Sequence, residues 1–233
     1  MILLEIAKKH GWKGELLDYR NSGDTAGDRS SVVGYAAIAF YEPYVSDSDK
    51  RALLSLARRS VELYAREQRK PDGAPTLSAG MRAARGCFVT LKEHGQLRGC
   101  IGSLNAEKPL YECVAENAVN AAAHDPRFQP VESAELPQIE VEISVLTPPV
   151  PLAPRSPEQL LSELQPGAHG VILEQGPARS TFLPQVWEQL PDKRAFLAAL
   201  CRKAGLIDLC WQSPSTSFSI YRAVVFHEER RSP

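Results

Sequence analysis

The sequence lacks the short signatures by which many enzyme classes are identified. It contains no Walker loop, no Gly-x-Gly-x-x-Gly, no His-Glu-x-x-His and no Gly-x-Ser-x-Gly. The Cys-x-x-x-Cys-x-x-Cys pattern of a radical-SAM enzyme is also missing. Phosphate cradling by a P-loop, dinucleotide binding, zincin, α/β-hydrolase and radical-SAM chemistry are therefore without support.

An excess of charge of one sign and long apolar runs are absent as well. The 27 Lys and Arg residues and 28 Asp and Glu residues give a net charge of -1, whereas a nonspecific nucleic-acid binder needs a basic face. No apolar run approaches the length of a membrane span, and no secretory pattern opens the chain. We expect a cytoplasmic protein of 233 residues, folded as one large domain or as one domain with an appendage.

Cysteine is sparse and its spacing is uninformative. The five cysteines are odd in number and form no Cys-x-x-Cys pair. They are Cys87, Cys100, Cys113, Cys201 and Cys210. The pattern predicts neither a disulfide framework nor a zinc ribbon, and it favours a reducing compartment. The sequence indicates no metal site, and it does not identify a cofactor.

The most informative stretch is residues 97–102 (LRGCIG). In a regular strand Arg98 and Cys100 point to the same face, so we expect the guanidinium beside the sulfur, where it would lower the pKa of the thiol. Gly99 and Gly102 lack side-chain bulk, so that another backbone or a ligand can approach closely, or the chain can bulge or turn.

This hexapeptide resembles the signature of the AMMECR-one domain family. Further blocks follow in the order that the family shows them: residues 86–91 (GCFVTL), 121–128 (AAAHDPRF), 137–146 (PQIEVEISVL), 167–170 (GAHG), 183–186 (LPQV), 201–206 (CRKAGL) and Trp211. The resemblance covers roughly residues 46–229. It implies a two-lobed α+β domain, mixed in helix and sheet, with a groove at the signature motif.

The first residues resemble a different family. A Tyr-Arg-x-Ser-Gly-Asp stretch followed by Val-Gly-Tyr-Ala-Ala is similar to the C-terminal tail of the Memo family. We therefore divide the chain into a Memo-like segment, 1–43, and an AMMECR-one domain, 44–233. The resemblance implies Memo-type and radical-SAM proteins as partners, in the AmmeMemoRadiSam system. Segment 1–43 is either the remnant of a fusion or a strand that pairs with this domain or a partner. The first alternative is favoured because an orphan strand exposes an edge that proteins ordinarily cover.

Hydrophobic periodicity and turn residues predict the elements of the fold. Predicted helices cover residues 2–9, 46–68, 109–123, a short stretch after Ser156, 185–190 and 193–204. Predicted strands cover residues 15–20, 31–40, 86–91, 96–102, 138–146, 169–175, 180–183 and 218–226. The mixture has no regular βαβ rhythm, so α+β is the expected fold class.

Cys100 has two interpretations. In the first, Cys100 is reactive and activated by Arg98, either as a nucleophile or as a thiolate that holds a metal or an intermediate. In the second, it is a small buried residue at a tight strand end. The sequence identifies no general base. His124, at the end of a predicted helix, and His169, between two small residues, are candidates, but each is also explained by local structure.

The remaining candidates are substrate-positioning residues. Asp125, Arg127 and Glu142 match the family pattern, and together with His169, Gly99 and Gly102 they are expected to line the groove. The alternative for Asp125 and Arg127 is an ion pair that holds their loop. Glu142, paired on its strand face with Glu140, either binds Arg98 or Arg127 or is solvated, and Lys203 is either functional or a cation at its helix end.

Two functions remain open. In the first, the groove with Arg98 and Cys100 performs thiol-dependent chemistry on RNA or protein. In the second, the groove recognises a peptide, nucleotide or small anion, and the protein is an accessory module of a Memo-type or radical-SAM partner.

Overall fold

A computed structural model describes residues 2–10, 12–26, 31–41, 43–69 and 77–229. The chain divides into two compact units, Met1–Asp49 and Lys50–Pro233. The turn-forming residues Gly-Asp at 27–28 and Pro-Asp-Gly-Ala-Pro at 71–75, which predict breaks between elements, lie outside the described residues. In the described ranges, no helix combines the length and the apolar composition needed to cross a bilayer.

The first unit is built around a two-stranded antiparallel sheet. Its elements are α1 (Ile2–His10), β1 (Lys13–Asn21), α2 (Ser22–Ala26) and β2 (Gly34–Tyr41). The helix predicted over 2–9 and the strand predicted over 15–20 are confirmed, and the second strand begins at Gly34 instead of residue 31. Most side chains of both strands are exposed, since two strands alone bury little surface.

From Asp47 onward helices and strands alternate irregularly. The elements are α3 (Asp47–Glu67), α4 (Ala79–Arg82), β3 (Cys87–Glu93), β4 (Gln96–Ser103), α5 (Leu110–Ala123), β5 (Ile139–Leu146), β6 (Val150–Leu152), α6 (Pro157–Glu163), β7 (Gly170–Gln175), β8 (Ala178–Phe182), α7 (Lys193–Lys203), β9 (Ser217–Tyr221) and β10 (Ala223–His227). Short 3-10 helices cover Pro184–Glu188 and Cys210–Gln212. The predicted α+β class is confirmed.

The first sheet of the second unit has the strand order β10-β5-β3-β4, so β4 is an edge strand. Alternate residues of β3 and β5 are buried, as the period-2 pattern predicts. They are Cys87, Val89, Leu91, Val141, Ile143 and Val145. Helix α5 packs across β3 and β4 and carries its own buried stripe, which includes Val114 and Ala118. The opposite face of this sheet carries the polar side chains of Thr90, Lys92 and Glu142 and the apolar ring of Phe88.

The second sheet has the strand order β6-β9-β7-β8. Its core lies against α6, α7 and the two 3-10 helices, and at its centre the rings of Trp187 and Phe196 stack with centroids 3.6 Å apart. The hairpin of β7 and β8 confirms the prediction for residues 169–183, while the predicted helix at 185–190 is a 3-10 helix.

The last strand connects the two sheets. The sequence predicts one strand over 218–226, but the structure divides it at Arg222 into β9, in the second sheet, and β10, in the first. The Arg222 backbone exchanges hydrogen bonds with Thr147, from the Arg222 amide to Thr147 Oγ1 at 2.9 Å and from the Thr147 amide to the Arg222 carbonyl at 2.9 Å. Buried Tyr221 packs with Leu146 and Ile172, so the junction of the two lobes is apolar.

Four of the five cysteines pair, so the prediction of no disulfides is wrong. Cys87 is bonded to Cys113, which ties β3 to α5, and Cys201 is bonded to Cys210, which ties α7 to a 3-10 helix. The partners are 26 and 9 residues apart, and only the folded chain brings them together. Cys100 is the unpaired cysteine.

Candidate functional site

Three polar side chains form a row across the first sheet, named here the Cys100 row. Thr90 of β3 lies opposite both Cys100 of β4 and Glu142 of β5. The Thr90 hydroxyl donates a hydrogen bond to Cys100 Sγ at 3.1 Å. Glu142 accepts a hydrogen bond from Lys92 Nζ at 2.8 Å, and not from Arg98 or Arg127 as the sequence suggested. The row therefore places a half-buried thiol on a polar sheet face.

Arg98 is not beside the sulfur, so the predicted activation is wrong. The pairing of β3 with β4 shifts between Leu91 and Lys92, and Arg98 is the extra residue of this bulge. Its guanidinium binds Glu135 at 2.7 and 3.1 Å and donates to the carbonyl of Gln129 at 2.9 Å. This pairing holds the pKa of Glu135 below its usual range. Arg98 thus anchors a loop.

Asp125 and Arg127 cover the outer edge of β4 at Cys100. The Asp125 carboxylate accepts a hydrogen bond from the Cys100 amide at 2.8 Å and two from the Arg127 side chain at 2.9 and 2.6 Å. Arg127 also donates to the Cys100 carbonyl at 3.4 Å. These contacts, the Arg127 pair first, hold the pKa of buried Asp125 far below its usual range. The geometry favours the structural interpretation of this pair, although half-exposed Arg127 faces solvent.

The surroundings of Cys100 favour the neutral thiol. Burial raises the pKa of Cys100, and the hydrogen bond from Thr90 and the charge of Arg127 oppose this effect only in part. The carboxylates of Asp125 and Glu142 add to the increase. Over the described part of the chain, Thr90 is the sole side chain that hydrogen-bonds to Cys100 Sγ. The site therefore holds a protonated thiol near neutral pH.

The two glycines of the signature have different neighbours. A Cβ at Gly99 would lie 2.2 Å from the carbonyl oxygen of Ala121, so α5 occupies its space on the face opposite Cys100. A Cβ at Gly102 would lie 2.2 Å from the ring of Phe88, on the same face as Cys100. Close approach of a backbone thus explains Gly99, and it contributes at Gly102 as well, where a Cβ would lie 2.5 Å from the Cys87 carbonyl oxygen. Gly102 also borders the groove described below.

The two candidate bases have local partners. His169 Nδ1 accepts a hydrogen bond from the Gln165 amide at 3.2 Å, which leaves the proton on Nε2, and burial followed by the charge of Arg222 lowers the pKa of His169. The ring of His124, at the end of α5, lies edge-on to Tyr64 with centroids 6.3 Å apart. A substrate-positioning role for His169 stays a prediction.

An open groove of about 460 Å³ lies between the two sheets. One wall comes from the first sheet and its following loop, with Phe88, Gly102 and Ser103; the other comes from the second lobe, with Arg179, Thr181 and Lys203. Gly102 follows Cys100 by two residues on one strand face, which corresponds to about 7 Å. The signature motif therefore leads into the groove. In the described ranges, no group of three or more His, Cys, Asp or Glu side chains is arranged to hold a metal ion.

The fold and the site define an α+β protein of three antiparallel sheets, with a groove between the two four-stranded sheets and an unpaired cysteine, Cys100, two residues before Gly102 of its wall. The AMMECR1 family model matches residues 54–226. The chain belongs to the AMMECR1 family, as its signature motif predicted.

Relatives from archaea align over most of the chain. A protein of Methanothermobacter thermautotrophicus is 42% identical over 193 residues, covering 81% of this chain and 98% of its own length. A protein of Thermococcus kodakarensis is 39% identical over 196 residues, covering 79% and 93%. The crystal structure of an uncharacterised protein of Pyrococcus horikoshii superposes with a TM-score of 0.75 at 34% identity, covering 80% of this chain and 95% of that chain.

Proposed function

We propose that this protein is a ligand-binding module that uses the groove beside Cys100. The observation that supports this proposal is the state of the thiol: it is half-buried, hydrogen-bonded by Thr90, and has a raised pKa. The charged groups around it pair with one another. A neutral thiol is a weak nucleophile, so the site is better suited to contact a ligand than to attack one.

The first test is the alkylation rate of Cys100 against pH, followed by peptide mass spectrometry in the wild type and in Arg98→Gln and Arg127→Gln. A binding module should show a thiol pKa above the usual value of about 8.5. Arg98→Gln should leave this pKa unchanged, whereas Arg127→Gln should raise it further because the nearby cation is lost. Rapid alkylation well below pH 8 that Arg98→Gln abolishes would contradict the proposal.

A thiol-dependent enzyme acting on RNA or protein is the second candidate. It is favoured by the presence of one unpaired cysteine, Cys100, on the same strand face as Gly102, which lines the groove. The Cys100→Ser variant separates the two candidates, because an enzyme loses its activity while a binding module keeps its function if packing survives. Retention of every activity of the intact system by Cys100→Ser would eliminate the enzyme.

We further propose that the module is the A component of the AmmeMemoRadiSam system and acts in the cytoplasm, beside a Memo-type and a radical-SAM protein. The resemblance of residues 1–43 to a Memo tail supports this role. The sheet of the first unit also exposes large apolar side chains, among them Leu17 and Tyr35 at 64% and 62% exposure. Exposed apolar patches mark interaction surfaces.

Co-purification tests the accessory role. The tagged full chain should form a complex with a Memo-type or radical-SAM protein from the same genome under native conditions, and Cys100→Ser should keep it. Leu17→Asp should weaken the complex, whereas Ile207→Asp, a control at a 78% exposed position in the second unit, should not. Failure of the wild type to bind either protein would contradict the accessory role without affecting the alkylation test.

A further inference from the structure

Lys203 is a cation at the groove, and its ammonium donates a hydrogen bond to a backbone oxygen. It is in the last turn of α7, and its Nζ donates to the carbonyl of Thr181 at 3.0 Å and lies 5.0 Å from the centroid of the Phe182 ring. No ion pair joins it to a carboxylate in the described part of the chain, whereas Lys92 and Lys108 each bind a glutamate. An ammonium has three N–H donors, so Lys203 retains donors for a ligand.

The ammonium of Lys203 is partly removed from water, and the described residues place no ion-paired carboxylate beside it to offset that loss. Partial burial lowers the pKa of Lys203, because desolvation disfavours its charged form. A bound anion would reverse this effect, since an opposite charge within hydrogen-bonding distance stabilises the ammonium. The cation is thus better compensated with an anionic ligand present than without one.

The other groups around the groove do not supply that anion. None of the nine residues that line it is Asp or Glu. The hydroxyl of Thr181 donates to Val171 O and that of Ser180 donates to Leu200 O, so both protons are already used within the protein. Arg179 adds a second cation; its pair with Glu174 is half-exposed on both sides, and such pairs contribute little stability. Arg179 can therefore turn to a ligand at small cost.

We infer that the groove binds a small molecule bearing an oxyanion, with a phosphate or carboxylate group on Lys203 and Arg179 and the rest of the ligand along Phe88 and Gly102 toward Cys100. This inference rests on the proposed role of the groove as a ligand site and adds the chemical class of the ligand. Phe88 offers an apolar wall, which suits a ligand with a charged end and a less polar body.

Titration of the ¹⁵N-labelled full chain with inorganic phosphate, and separately with succinate, at constant ionic strength tests the inference. Saturable amide shifts are expected around Gly102, Thr181 and Lys203. Lys203→Met should weaken binding about tenfold or more, the usual effect of losing a charge-assisted hydrogen bond. Lys193→Met is the matched control, because Lys193 also donates to a backbone carbonyl, Leu161 O at 2.6 Å, but does not line the groove.

The two probes distinguish the sources of the oxyanion: tighter phosphate binding indicates a phosphorylated ligand, and tighter succinate binding indicates a carboxylic acid. Equal affinity in the wild type and Lys203→Met, shifts confined to another surface, or no saturable shift with either probe would each overturn the inference. The Cys100 alkylation and co-purification results do not depend on these titrations, so the oxyanion inference can fail while the proposed binding module stands.

Discussion

The two sheets of the second unit differ in how their charged side chains are compensated. Around the first sheet, Arg58, Arg98 and Arg127 each bind a carboxylate, and those carboxylates also accept backbone hydrogen bonds. At the edge of the second sheet, the ammonium of Lys203 binds one backbone carbonyl. Removing a charge from the first set leaves a desolvated partner, whereas removing Lys203 leaves none.

This difference separates charges that hold the fold from charges available to a ligand. Arg58 binds Glu228 and the carbonyls of Leu136 and Ile139, so it ties α3 to β5 and to the residues after β10. Arg98 does the same for the loop before β5. The charged side chains around Cys100 are therefore ion-paired with one another, whereas Lys203 in the groove wall donates to a backbone carbonyl and retains donors for a ligand.

The largest effect should follow Arg58→Met. The Arg58 and Glu228 side chains are 10% and 20% exposed, and breaking such a pair leaves a poorly solvated carboxylate. We expect the free energy of unfolding to fall by about 3–5 kcal/mol in urea titrations. Arg202→Met, which breaks a pair 57% exposed on both sides, should cost no more than about 1 kcal/mol. Similar losses for the two variants would remove the distinction between the two sets of charges.

Asp125→Asn should have the next largest effect, because it removes the charge that binds Arg127 and the Cys100 amide. We expect a loss of about 1.5–3 kcal/mol near neutral pH, against about 1 kcal/mol or less for the exposed control Asp208→Asn.

The pH dependence of this loss has a definite sign. The folded-state pKa of Asp125 is depressed, so its stabilisation is present above the unfolded value of about 3.9 and is lost as the pH falls toward the folded value. The difference in stability between the wild type and Asp125→Asn should be constant between about pH 5 and 7 and should narrow below about pH 4. A difference that persists unchanged into acid would mean that the charge of Asp125 is not what stabilises the loop.

Gly99→Ala tests the packing behind the Cys100 row. The new Cβ would meet the Ala121 carbonyl, which is helix backbone and cannot turn aside, so we expect a loss of about 1–3 kcal/mol in thermal or urea unfolding. At Gly102 a new Cβ would meet the Phe88 ring at 2.2 Å and the backbone carbonyl oxygen of Cys87 at 2.5 Å, so Gly102→Ala should be destabilising by a similar amount. Wild-type stability of either variant would show that the backbone around that glycine moves aside at little cost.

Local pattern was sufficient to predict most of this fold. The alternation of Ile139, Val141, Ile143 and Val145 indicates a strand, and all four are buried. Ser156 was predicted to cap a helix, and its hydroxyl accepts the hydrogen bond from the Gln159 amide at 3.2 Å. Such signals depend on residues a few positions apart, so they are recognisable in the sequence without knowledge of the tertiary structure.

The wrong or missing predictions concern features that depend on contacts between residues far apart in the sequence. The bulge at Arg98 depends on the register with β3, and Glu135, the partner that captures the guanidinium, lies 37 residues away. The last strand is divided at Arg222 because its first half pairs with strands of the second sheet and its second half pairs with β5 of the first. For the same reason the sequence offered no means to place Lys203, about a hundred residues from Gly102, on the same groove.

The smallest effect on stability should come from Lys203→Met, and it completes the comparison. The substitution removes one hydrogen bond to Thr181 O and the contact of the ammonium with the Phe182 ring, but it also removes a partly desolvated charge. Because these effects oppose one another, the free energy of unfolding should shift by no more than about 1 kcal/mol. A loss of several kcal/mol, as for Arg58→Met, would make Lys203 a structural tie between α7 and β8, and the groove would lose its candidate oxyanion donor. A small shift together with lost phosphate or succinate binding is the combination that a structural role does not produce.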